Sequence, residues 1–293
     1  MAIFSHMDLS HDASRYTVGW IAPLPLELTA AVGMLEDPTT LEVPDDDVLY
    51  HVGRIGSHFV VMVVCPRMGI EPAATALANM CRSFPNIKHV LVVGIAGGMP
   101  CYGPDLQEQI VLGDVVKELT IKEHTLHPSA ALLTAVNNLR SVYMQVAGSK
   151  IPRYLEELRR GLNERSRQAY EDPGAEYDHL FEDSYLHTDR GRFCQGLCNA
   201  TRAKLRKSRC KRAERKNNQP HIHYSNIDSA NTIVRSSAKR NELYARHNII
   251  CLEIEAAGVM SDYQGLVIRG VCDYADSHKN KKWRVIDRVI SSR

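Results

Sequence analysis

The chain has 293 residues, enough to bury one large core or two small ones, and its 44% hydrophobic and 24% charged content is that of an ordinary soluble globular protein. The net charge of +2 hides an asymmetry: residues 202–216 carry nine Lys/Arg against one Glu, a local +8, so the remainder is mildly acidic at about −6. Residues 1–15 are polar and lack the apolar stretch of a signal peptide, so they are expected to be a flexible arm. The longest apolar runs, 59–65 and 90–98, are too short to span a bilayer, so no membrane association and a cytoplasmic setting are expected.

In chain order, runs rich in β-branched residues predict strands over 16–22, 59–65, 88–93, 110–116, 249–253 and 266–272. Helix-compatible stretches fall between them at 27–36, 72–82, 129–142 and 255–263. This alternation predicts an α/β fold, a three-layer mixed sheet with helices on both faces. Residues 145–220 break the pattern. They are rich in Arg, Glu, Asp and Asn, are punctuated by Pro152, Pro173 and Pro220, and promise little beyond a short helix at 151–161. The expected organisation is one domain over 16–283, interrupted by this polar and basic insertion at about 145–220.

Cys65, Cys251 and Cys272 sit in apolar runs, as reduced cysteines do when used as small core residues. Cys194, Cys198, Cys210, His221 and His223 include the residue types of a zinc site, but their spacing matches no tight ligand pair. They are read as solvated linker residues, and no metal is expected. The basic run has no aromatic residues among its cations to stack on bases, so nucleic-acid binding is not expected either.

In an open α/β sheet, ligands collect beyond the carboxyl ends of the strands. Four predicted strands deliver acids or glycines there: Glu27 after the first, Gly94-Ile95-Ala96-Gly97-Gly98 after 88–93, Glu253-Ile254-Glu255 after 249–252, and Asp273 after 266–272. Each has a plain structural alternative. Glu27 and Glu255 fit the first turn of a helix, where a carboxylate meets the dipole, and a glycine run fits a tight turn. Their convergence on one rim favours a ligand site.

The segments VGWIAPLPLELTAA, HVLVVGIAGGMP, LGDVV, CLEIEAAGVM and VIRGVCDYADSHKNKKW resemble the purine nucleoside phosphorylase/methylthioadenosine nucleosidase superfamily, most closely a fungal branch often fused to NACHT, ankyrin or TPR regions. The resemblance implies a purine nucleoside substrate, a homo-oligomer and no cofactor, with inorganic phosphate a co-substrate only in a phosphorylase. It implies that Asp273 is the acid toward the leaving purine, that Glu255 holds the ribose hydroxyls, and that Glu27 orients the attacking water. Ile254, Ala96, Gly97 and Gly98 would pack beside the base and ribose. This division of labour suits the chemistry. Breaking an N-glycosidic bond builds positive charge on the ribose and negative charge on the base, so one acid serves the leaving group while the nucleophile arrives on the opposite face.

The bacterial-type phosphorylases carry an Arg before the glycine run and a Ser within it; here Val93 and Ile95 stand there, leaving Arg67 and Gly69 as candidate phosphate ligands. Hydrolysis is therefore expected, with phosphorolysis as the alternative. Two departures mark a third reading, a degenerate nucleoside-binding or signalling module without turnover. The stretch from Gly113-Asp114 to Pro128 is shorter than in relatives, and the sequence ends soon after Trp283, where relatives continue into a closing helix.

Overall fold

A computed structural model describes residues 13–118, 126–145, 150–162, 164–187, 189, 194, 197–204, 219–278 and 283. Most of the flexible arm expected at 1–15 and most of the basic run therefore lie outside the described residues. The strands are β1 (Val18–Ala22), β2 (Glu36–Val43), β3 (Asp46–Ile55), β4 (His58–Val64), β5 (His89–Gly98), β6 (Cys101–Tyr102), β7 (Glu108–Gln109), β8 (Val115–Glu118), β9 (Leu180–Phe181), β10 (Ala203–Lys204), β11 (Ile222–Ser229), β12 (Ile249–Glu253) and β13 (Leu266–Asp273). The helices are α1 (Pro25–Val32), α2 (Ile70–Ser83), α3 (Ala130–Gln145), α4 (Ile151–Gly161), α5 (Glu164–Ala169), α6 (Ser237–His247) and α7 (Ala256–Met260).

Nine strands form one mixed sheet in the order β12-β11-β8-β13-β5-β1-β4-β3-β2; the other four make two small ribbons, β6 with β7 and β9 with β10. β5 lies between β1 and β13, parallel to both, and its end also pairs antiparallel with β12 through Gly97 and Gly98. The sheet thus begins to curl closed at the carboxyl ends of three strands.

Helices cover both faces, as expected. On one, α1 and α4 bury Leu28, Leu155 and Leu158 against Trp20 and Met62. On the other, α2 buries Ala73, Leu77 and Met80 against Ile21, Val61 and Val92. Burying apolar faces on both sides of the strands is what makes β5 and β13 read as continuous hydrophobic runs.

Several boundaries differ from expectation. Residues 94–98 are not a loop: the ladder of β5 runs through all three glycines. Only the end of the 110–116 prediction is strand, because Gly113 (φ +95°) turns the chain and Asp114 closes the turn by accepting the Val111 amide. The helix predicted at 27–36 ends at Val32, and the next residues form the β2–β3 hairpin. Pro38 and the acids of β2 masked that hairpin; an edge strand tolerates both, since its outer side needs no ladder donors.

The insertion is not weakly structured where it is described. Ile151, Leu158, Tyr170, Leu180 and Phe181 are buried, and the Tyr170 hydroxyl donates to the Leu26 carbonyl of α1 at 2.9 Å. Cys65, Cys251 and Cys272 are buried and outside any disulfide, as expected of reduced core cysteines, whereas Cys101 is disulfide-bonded.

Candidate active site

A cavity of about 230 Å³ opens at the carboxyl ends of β1, β5, β12 and β13. Its lining includes Glu27, Ala96, Gly97, Ile254, Glu255 and Asp273, six of the residues singled out from sequence. Gly98 is not among them; it is buried in the ladder, where an added Cβ would strike Val271 and Ile110.

Each acid is held by its own local structure. Glu27 lies in the first turn of α1, and its carboxylate accepts the amides of Leu24 (2.6 Å) and Ile95 (3.0 Å). Both the helix-start reading and the site reading of Glu27 are therefore met by one geometry. Glu253 closes the start of α7 by accepting the amides of Glu255 and Ala256. Glu255, two residues on, turns to the cavity rim and accepts amides from Ile254 and Gly69. Burial pushes its carboxyl up to about 7, with Glu253 adding to the rise and Arg269 opposing it.

Asp273 ends β13 at a register shift between Val271 and Asp273, an irregularity that re-aims the side chain. One carboxylate oxygen accepts the Ala275 amide at 2.9 Å. A Cβ on Gly97 would lie 2.9 Å from that same oxygen and 2.9 Å from the Ala275 methyl, so glycine is required for this close approach.

Sequence reasoning missed Arg269. Its side chain is wholly buried beneath the site, ion-paired with Glu253 and 3.6 Å from Glu255. The charge of Glu27 also acts on it. A guanidinium among three carboxylates holds negative charge in a dry environment that would otherwise expel it. Gly94 makes room for it, since a Cβ there would sit 2.4 Å from Arg269 Nη1. The available signal was an arginine inside the otherwise apolar run 266–272.

Also missed was the wall formed by Ala230, Thr232, Ile233, Val234 and Arg235, between β11 and α6. The polar residues of β11 concealed a strand, and with it the strand end from which this wall hangs.

The candidate phosphate ligands, Arg67 and Gly69, flank Met68 of the cavity lining. Arg67 is exposed and pairs with Glu71 at 3.3 Å, and the Gly69 amide serves Glu255. Among the described lining residues Arg235 is the single cation, against Glu27, Glu253, Glu255 and Asp273.

The five zinc-type residues noted in sequence do not gather. His223 is buried between Asp114 (3.0 Å) and the Tyr102 hydroxyl (2.8 Å), the His221 amide donates to Asp114, and Cys210 lies outside the described residues. Cys194 and Cys198 instead meet His187 and His278.

This mixed sheet, flanked by helices and carrying its acids at the strand ends, is the nucleoside phosphorylase/nucleosidase fold. The superfamily recognised from the motifs is thus the one whose fold the chain has. A methylthioadenosine/S-adenosylhomocysteine nucleosidase of Streptococcus pneumoniae superposes with a TM-score of 0.51 at 18% identity, with 94% of each chain covered. The futalosine hydrolase of Helicobacter pylori superposes equally well (0.51) at 12% identity, over 95% of this chain and 94% of that one. In sequence, the chain is 34% identical over 302 residues to a nucleotide-binding leucine-rich repeat (NLR)-like protein of the fungus Hyaloscypha variabilis. The match covers 95% of this chain but 28% of that relative's length. No family model matches the chain.

Proposed function

We propose that the chain cleaves the N-glycosidic bond of purine nucleosides by hydrolysis. The observation that carries this reading is the convergence of Glu27, Glu255 and Asp273, from three separate elements, on one cavity. Asp273 donates a proton or hydrogen bond to the purine nitrogen as the bond to the ribose breaks. Glu255 accepts hydrogen bonds from the ribose diol, and its charge favours the cationic sugar of the transition state. Glu27 takes a proton from water, whose oxygen bonds to the anomeric carbon. Arg269, beneath these groups, opposes the rise of the Glu255 carboxyl without touching the substrate.

Ala96, Gly97 and Ile254 form the surface on which base and ribose rest. The neighbours' names are consistent with such a substrate, two of them being nucleosidases or hydrolases of purine-containing compounds. Water is favoured over phosphate because the charged side chains of the lining are mostly carboxylates, which repel a dianion. The Gly69 amide, spent on Glu255, is not offered to an anion.

The test is incubation with adenosine, inosine, guanosine and methylthioadenosine, each with and without millimolar phosphate, followed by identification of the sugar. Free ribose or its 5′-substituted form is expected, at a rate indifferent to phosphate. Ribose 1-phosphate formed only in phosphate would make the enzyme a phosphorylase, and no release from any of the four would sink the assignment.

A further inference from the structure

We propose a second, structural site outside the cavity: a tetrahedral zinc ion bound by His187, Cys194, Cys198 and His278. The ligand atoms of these four residues all lie within 4.8 Å of one another. The Nδ1 of His187 is 3.2 Å from Cys198 Sγ and 3.7 Å from Cys194 Sγ; the Nδ1 of His278 is 3.3 and 3.5 Å from the same sulfurs. An ion at ordinary Zn–S and Zn–N bond lengths holds tetrahedral sulfur and nitrogen ligands roughly 3.6 Å apart. The spacing fits such an ion at the centre.

The surroundings prepare His278 for this role. Its Nε2 hydrogen-bonds the Tyr185 carbonyl at 2.7 Å, which makes Nε2 the protonated nitrogen and leaves the Nδ1 lone pair facing the sulfurs. The ring is buried, stacked on Phe181 at 4.1 Å and on Tyr185 at 5.4 Å. The His187 amide donates to Ser277 Oγ at 3.0 Å, drawing the insertion to the residue before His278. Neither cysteine is in a disulfide. Binding would release two thiol protons, and two thiolates with two neutral imidazoles exactly balance the charge of a divalent zinc. Four protein ligands close the coordination sphere, which marks a structural rather than a catalytic ion.

The ion would join the insertion to the loop after β13, five residues beyond Asp273. A second set of contacts ties the same parts: Arg240 donates to the Tyr274 carbonyl at 2.8 Å and pairs with Asp183 at 3.2 Å, while the Tyr274 hydroxyl donates to Asp178 at 2.7 Å. Zinc would complete this fastening.

The full chain, purified without chelators, should contain about one zinc per chain by elemental analysis. Metal-free protein titrated with Co²⁺ alone should develop the intense visible bands of tetrahedral cobalt and a thiolate charge-transfer band. X-ray absorption at the zinc edge should place two sulfurs at about 2.3 Å and two nitrogens at about 2.0 Å. Cys198→Ser should lower zinc affinity at least tenfold, and loss of zinc should lower the melting temperature. If that variant does not fold, the cobalt spectrum and absorption edge of the unaltered chain decide the matter. Metal-free protein that takes up no cobalt, another metal at the site, or a Cys194–Cys198 disulfide would each overturn the assignment.

Discussion

Gly97 and Asp273 occupy the same small volume from opposite sides: the glycine has no side chain, and the carboxylate fills the space. In Gly97→Ala the methyl would lie 2.9 Å from the Asp273 oxygen and force it out of line. Asp273→Asn keeps the shape but removes the proton. Both variants should cut purine release, the second by about 10²–10⁴ if Asp273 is the general acid. Near-normal turnover in a folded Asp273→Asn protein would take the acid role away from it. Glu255 makes a separate prediction. Because its carboxyl is raised from 4.5 to about 7, the folded chain holds a proton that the unfolded chain releases across that interval. Its contribution to stability is therefore fully present at low pH and lost as pH rises through about 7. Activity should move the other way: kcat/KM should climb through about pH 7 as the ribose-binding carboxylate ionises, an inflection that belongs to the coupled acids rather than to one of them. Glu255→Gln should leave a low, flat profile, and an unchanged inflection in that variant would assign the titration elsewhere.

At the scale of elements, the central parallel strands were legible because they are buried on both faces and so read as unbroken apolar runs, as at 59–65 and 266–272. The residues that follow them were legible for the same reason, since strand ends locate ligand sites in such folds. The β2–β3 hairpin and β11 were not, because their pairing depends on edge position and on long-range neighbours that local composition does not reveal. Arg269 escaped notice because a buried cation makes sense only once three acids are brought to it, Glu253 and Glu255 from 16 and 14 residues back in the chain and Glu27 from helix α1. Within the helices, α7 presses on the start of α2 so closely that a Cβ on Gly258 would fall 2.0 Å from the Ile70 carbonyl oxygen. Gly258→Ala should therefore cost about 1–3 kcal/mol, as overpacking does, read as a lowered melting temperature. A melting temperature equal to that of the parent chain would mean that the two helices part freely.

At the scale of the whole molecule, the insertion is less an appendage than a third support for the site. Tyr170 grips α1 beside Glu27, Asp178 grips Tyr274, and Asp183 grips Arg240, so three residues of one polar segment reach α1, the turn after β13 and α6. The match to 28% of a longer NLR-like relative raises the question of how such a unit is used within a larger chain. The curl of the sheet has one more consequence. Because Gly97 pairs with Asp273 on one side and Leu252 on the other, the strand that ends in Asp273 and the strand that leads to Glu255 are spaced by two hydrogen-bonded steps of main chain. Two such steps measure roughly 9.6 Å, a length set by peptide geometry. Side-chain substitution can blunt either jaw of this calliper, but its gauge belongs to the backbone.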